Sequence, residues 1–254
     1  MPALQATRDY APALLARFCA PAKRFVIITT GRTGSELLVS LLNSHPGIRC
    51  GGELLRDGRA FPQQYLAARA AMAGLRGMSA FGWKLLPGHF RNLGGTIRGI
   101  GDPTQYPARL NAMGYRPVLL LRANPVQQAL SFISGADRQF HYSNESDDGF
   151  EPIEVDPVRL MAATWIVESD TEVLSRLVGP LPHLRLSYED DLLDSVAHQT
   201  TVDRVCEYLG IDSAPVTAGL RKANPRQTRE IIANFDEVRK LFASTRYASY
   251  FDAA

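Results

Sequence analysis

The 254-residue chain is poor in cysteine, in long apolar runs and in excess charge of either sign. Its three cysteines, Cys19, Cys50 and Cys206, are scattered without metal-ligand spacing. An odd number with no pairing pattern argues against a disulfide framework and for a reducing compartment. No apolar stretch approaches the length of a membrane span. Residues 1–23 hold only short apolar pieces broken by Arg8, Asp9, Pro12 and Arg17, neither a signal-peptide core nor a span. They read as an N-terminal extension or a short helix ahead of a single domain over 24–254. The formal net charge of +2 falls short of the basic excess expected of a general nucleic-acid binder. Internal repeats and low-complexity tracts are missing too.

What is present is ordinary for a protein with a full core, with 45% hydrophobic and 21% charged residues. Phe25, Val26, Ile27 and Ile28 form a short β-branched and aromatic run that reads as a strand buried on both faces. Thr29 to Gly34 follow as a tight polar loop with two glycines. Beyond it Leu37, Leu38, Leu41 and Leu42 recur at helical spacing. Strand, glycine loop and helix N-terminus together make an anion site, because backbone N–H groups and the helix dipole point into the loop. Arg32, Thr33 and Ser35 add side-chain donors suited to phosphate oxygens. The loop is not that of the nucleotide triphosphatases. Their motif ends in Gly-Lys-Ser/Thr, whereas Gly34-Ser35 is followed by Glu36, which places a carboxylate in the first helical turn.

Farther on, Asn43 to Gly52 form a turn-rich passage that lands on Glu53, and residues 61–76 read as an alanine-rich helix. Ala80 to Leu86 read as a second core strand with Lys84 near its exposed end. A lysine there usually snorkels to water; at the C-terminal end of a parallel strand it would face a ligand crevice. Residues 103–113 suggest a helix, Arg116 to Leu121 a third strand ending at Arg122, and Val126 to Ile133 a helix with Pro125 in its first turn. Asp137 to Asp156 is the compositional break, with seven acidic residues against Arg138 alone, and reads as a loop on the acceptor side that could serve as a lid. An amphipathic helix over Pro157 to Val178, a short fourth strand over His183 to Leu186 and a helix over Ser195 to Leu209 complete the alternation. Strands alternating with helices imply a mostly parallel sheet. The tail from Arg221 is basic, with Lys222, Arg226, Arg229, Arg239, Lys240 and Arg246.

Several segments, taken in order, resemble one family. GRTGSELL resembles the 5′-phosphosulfate loop of sulfotransferases that use 3′-phosphoadenosine-5′-phosphosulfate. HPGIRCGGELL, FGWKLL, the Arg122 to Ser131 segment, LSYEDDLL and the tail RKANPRQTREIIANFDEVRKLFASTRYASYFD resemble blocks of the bacterial carbohydrate sulfotransferases. The likeness is to the nodulation-factor type and, more distantly, the trehalose type. It runs from about Phe25 to Asp252, with the middle of the chain poorly matched.

The resemblance implies a three-layer α/β sandwich with a mostly parallel central sheet, the P-loop-like fold of sulfotransferases. It implies 3′-phosphoadenosine-5′-phosphosulfate as donor co-substrate, a carbohydrate or glycolipid hydroxyl as acceptor, no metal and no nucleic-acid partner. A cytoplasmic location fits it, and a homodimer is compatible with it. Carried over residue by residue, Arg32, Thr33, Gly34 and Ser35 would hold the donor's 5′ end, and Arg122 and Ser131 its 3′-phosphate. Lys222 and Arg226 would add counter-charge. Lys84 and Arg32 would hold the leaving phosphate, and Glu53 matches the general base proposed for the trehalose type. One departure stands out: the animal cytosolic enzymes place a histidine base two residues after the matching lysine, and here that residue is Leu86. His89 lies slightly beyond and remains a rival to Glu53. A nucleotide kinase on a similar sheet and a non-catalytic nucleotide-binding module are the alternatives.

Overall fold

The computed structural model describes residues 10–21, 23–56, 59, 61–87, 102–138, 151–220 and 227–252. In chain order the elements that frame the molecule are β1 (Lys23–Thr29), α1 (Ser35–Ser44), β2 (Ile48–Cys50), α2 (Pro62–Gly74), β3 (Ala80–Leu85), α3 (Tyr106–Ala112), β4 (Tyr115–Leu121), α4 (Pro125–Arg138), α5 (Pro157–Val178), β5 (Leu184–Ser187), α6 (Ala197–Leu209) and α7 (Phe235–Phe242). The five strands form one parallel sheet in the order β2-β3-β1-β4-β5. The first strand therefore sits at the centre, where the direction of the connections reverses and where open α/β sheets place their ligand crevice.

The side-chain period of a strand explains the layers. Phe25 and Ile27 point to one face of β1 and join Leu38, Leu41 and Leu42 of α1 with Val202, Val205 and Leu209 of α6. Val26 and Ile28 point to the other face and join Leu66 of α2, Tyr106 and Leu110 of α3, and Leu174 of α5. Covered on both sides, residues 25–28 of β1 are wholly buried. A third cluster packs α4, α5 and α7 together through Val126, Ile133, Leu160 and Phe242. The result is the three-layer α/β architecture expected from the alternating pattern.

Two local expectations need correction. Residues 48–50, read as part of a turn-rich passage, pair with β3 as an edge strand. The Asn43 side chain holds that strand in place, donating to the Cys50 carbonyl at 2.8 Å and accepting from the Cys50 N–H at 2.9 Å. The segment before β1 does carry a short helix, Ala16–Cys19, and lies against the domain. Tyr10 meets Phe61 and Tyr65 edge-on, and a Cβ on Gly74 would lie 1.4 Å from the Cys19 carbonyl oxygen, so only glycine permits that approach.

The acidic stretch is also not a loop throughout. Asp137 and Arg138 close α4, Ile153 bridges to Ile232, and Asp156 caps α5 by accepting from the Val158 N–H at 2.9 Å. The rest of it, 139–150, lies outside the described residues.

Candidate active site

The loop between β1 and α1 is held in an uncommon conformation. Arg32 has φ 62° and Gly34 φ 76°, both left-handed. Glycine is required at position 34 twice over, since an added Cβ would also come within 2.6 Å of the Tyr188 ring. Arg32 is a non-glycine residue in a sparsely populated region, which persists only where neighbours fix it. Here the Arg122 guanidinium donates to the Arg32 carbonyl at 3.2 Å, and the Arg32 Nε donates to Ser131 Oγ at 2.9 Å. Gln128, fully buried one turn before Ser131 on α4, donates to Thr30 Oγ1 at 2.7 Å and to the Gly31 carbonyl at 2.5 Å. One face of α4 thus clamps the loop.

Gly34 offers no side-chain cap to α1, so the first-turn N–H groups are not engaged by one. Thr33 is fully buried, and its hydroxyl is used inside the loop, 2.5 Å from Thr29 Oγ1 and 3.1 Å from the Thr30 carbonyl. What Thr33 offers an anion in this state is backbone, not hydroxyl. Ser35 is nearly buried as the first residue of α1.

Lys84 does not follow the usual course of a strand-end lysine. Its side chain is 3% exposed, so the amine does not escape to water. Two carboxylates meet it. Lys84 donates to Glu36 Oε1, and its Nζ lies 3.3 Å from Glu53 Oε1. Glu36 comes from the first turn of α1. Glu53 follows Gly52, whose carbonyl accepts the Lys84 backbone N–H at 3.0 Å and so fixes the spacing between the Glu53 loop and β3. Cys50 lies against the same cluster; burial pushes its thiol well above the usual range, so it stays neutral.

On the other side of β1, Arg122 sits just past β4 with its guanidinium 4.6 Å from the centre of the Tyr188 ring. It donates to Gln127 Oε1 at 3.0 Å, and its Nε is 3.7 Å from Glu189 Oε1, an ion pair too long for a hydrogen bond. Glu189 in turn accepts from the N–H groups of Ala123 and Asn124. Burial lowers the Arg122 pKa below its ordinary value.

Among the sequence candidates, Arg32, Gly34, Ser35 and Ser131 come together at the loop, and Lys84 and Glu53 come together at the exit of β3. Arg122 touches the loop through the Arg32 backbone. Lys222, Arg226 and His89 lie outside the described residues. Gln128, Glu189 and the pairing of Glu36 were not anticipated. The signal for Gln128 was available, since it shares a helix face with Ser131 at i, i+3 spacing. Among the described residues no group of three or more His, Cys, Asp or Glu is arranged to hold a metal. No helix among them is long and apolar enough to cross a membrane.

A left-handed glycine turn thus follows the central strand of a parallel three-layer α/β sheet, with an arginine in the loop and a buried lysine beside it. No family model matches the chain. It is 25% identical over 248 residues to nodulation protein H of Rhizobium meliloti, a match covering 92% of this chain and 97% of that protein. It is likewise 25% identical over 255 residues to nodulation protein H of Rhizobium meliloti strain 1021. The crystal structure of a sulfotransferase from Alicyclobacillus acidocaldarius shares 17% identity and superposes with a TM-score of 0.49, over 91% of this chain and 94% of that one. The similarity to nodulation protein H along nearly the whole chain bears out the nodulation-type resemblance read from the motifs.

Proposed function

We propose that the protein is a sulfotransferase that moves a sulfuryl group from 3′-phosphoadenosine-5′-phosphosulfate to a hydroxyl of a carbohydrate or glycolipid-like acceptor. The observation that supports this most is the buried ammonium of Lys84, set at the exit of β3 with the Glu53 carboxylate 3.3 Å away. A cation and a carboxylate side by side suit a transfer in which charge builds on a leaving phosphate oxygen while an attacking hydroxyl loses its proton. The likeness to nodulation protein H adds weight.

The residues present fit such a donor. The left-handed loop and the first-turn N–H groups of α1 would receive the 5′ end with Arg32 at its side, and Arg122 and Ser131, the latter hydrogen-bonded to Arg32, would hold the 3′-phosphate. In the transfer, the acceptor oxygen forms a bond to sulfur as the bond from sulfur to the bridging phosphate oxygen breaks. The electron pair of that bond stays on the 5′-phosphate, where Lys84 and Arg32 offset it. Glu53 takes the proton of the acceptor hydroxyl. Lys222 and Arg226 would supply further counter-charge to the nucleotide.

Calorimetry separates the donor classes. Adenosine 3′,5′-bisphosphate and its 5′-phosphosulfate should bind and ATP should not; preferential ATP binding would favour a kinase. Mass spectrometry of products from a panel of glycan and glycolipid acceptors should then show a single sulfuryl addition. Nucleotide binding without any product across the panel would favour a non-catalytic module.

A further inference from the structure

We infer that Glu36 is the resident counterion of Lys84, a positioning residue that the incoming anion has to displace. The inference rests on the donor-site reading above and adds a residue to it. A buried ammonium requires a partner, and Lys84, 3% exposed at its side chain, has two among the described residues. They are not equivalent. Glu53 is 25% exposed and is carried by the loop whose Gly52 carbonyl accepts the Lys84 backbone N–H at 3.0 Å, so it moves with the strand. Glu36 is 38% exposed and is the second residue of α1. A rotation of its side chain alone releases the carboxylate into water.

Glu36 also draws on both sources of positive charge that an anion in the loop would use. One is the Lys84 ammonium, to which it is hydrogen-bonded. The other is the N-terminal end of α1, where a first-turn carboxylate is favoured by the helix dipole. The cluster of one ammonium and two carboxylates carries a net negative charge. Cys50 beside it remains a neutral thiol, and Arg32 is turned toward Ser131. An anion therefore gains full use of Lys84 only as Glu36 leaves it. Return of Glu36 after transfer works against the bound product and favours its release.

The test is calorimetry with two probes, adenosine 3′,5′-bisphosphate and inorganic pyrophosphate, on wild type, Glu36→Gln, Glu36→Asp, Lys84→Met and the Lys84→Met/Glu36→Gln pair. Both probes should bind Glu36→Gln more tightly than wild type, by about 5- to 150-fold, the usual range for coupling through a shared group. Glu36→Asp should behave like wild type, and most of the gain should vanish in the Lys84→Met background. Unchanged, weaker or undetectable pyrophosphate binding in Glu36→Gln overturns the inference, as does an equal gain without Lys84. A collapsed variant would bind less tightly, so a tighter one cannot be explained by misfolding. Tighter pyrophosphate with no nucleotide binding by any protein keeps the role of Glu36 and ends the donor reading. Nucleotide binding with no gain in Glu36→Gln does the reverse.

Discussion

Two buried cations stand at the ends of the strands that flank β1, and they are held in opposite ways. Among the described residues Lys84, on β3, meets only carboxylates as charged partners, and both are part-exposed. Arg122, just past β4, is packed against the Tyr188 ring and bonded to Gln127 and the Arg32 backbone. Its carboxylate partner Glu189 is itself tied to two backbone N–H groups. Exchange of partners is therefore cheap at Lys84 and costly at Arg122. In the proposed function the same charge would serve chemistry on one side of the central strand, while on the other it frames the loop.

The sharpest way to break this contrast is to remove the proposed base on the Lys84 side. Glu53→Gln keeps the shape and hydrogen bonding of the side chain while abolishing its basicity. Turnover should fall by roughly 10²–10⁴-fold, the usual share of acid–base catalysis, with adenosine 3′,5′-bisphosphate binding retained by calorimetry. Near-normal turnover in Glu53→Gln together with a dead His89→Ala enzyme would hand the proton to His89.

Next in size is Lys84→Ala. In the proposed transfer its contact would strengthen as the leaving oxygen gains charge, so turnover should drop by roughly 10²–10³-fold, the scale of one lost electrostatic donor. Donor affinity should change far less, because Glu36 and Arg32 rearrange around the bound anion. Single-turnover kinetics separates the two quantities. Collapse of affinity with normal turnover of bound donor would make Lys84 an anchor only.

Arg122→Ala should act on the fold first. It strands Glu189, empties the space under Tyr188 and frees the Arg32 carbonyl. Breaking a fully buried ion pair costs about 3–5 kcal/mol. With Glu189 one-quarter exposed, a loss of about 2–3 kcal/mol in denaturant unfolding is expected here. Unchanged stability with impaired nucleotide binding would make Arg122 a ligand contact free of any framing role.

How much of this was legible in the sequence depends on how local the cause is. The core strand β1 announced itself because four consecutive apolar residues need no partner to be recognised. Helix α5 covers Pro157–Val178 as its amphipathic pattern implied, since that pattern lies within the segment itself. The strand β2 was missed because three residues cannot display a period and its partner Asn43 acts through a side chain. The burial of Lys84 was missed for a longer-range reason. Glu36 lies 48 residues away in sequence, and nothing in either segment specifies the contact. Glu36 was noticed as a departure from the P-loop lysine, yet only the sheet order shows that a lysine from β3 comes to stand beside it. The contact between Arg32 and Ser131, 99 residues apart, was hidden in the same way.

The smallest expected effects lie at that last contact, and they sharpen the comparison from the loop side. Arg32 projects from a backbone already fixed by Arg122 and Gln128, so its side chain can be removed without loosening the loop. Arg32→Ala should leave unfolding within about 1 kcal/mol of wild type, in contrast to Arg122→Ala, because its bond to Ser131 is only part-buried. It should still weaken adenosine 3′,5′-bisphosphate binding by several-fold or more, since a charge-assisted contact contributes about 1.5–3 kcal/mol. Ser131→Ala removes a neutral hydroxyl and should cost only about 0.5–1.5 kcal/mol of binding. In a double-mutant cycle the two should be strongly non-additive, because Ser131 acts partly by orienting Arg32. Additive losses would mean that the two residues meet different parts of the ligand, and would divide the loop site in two.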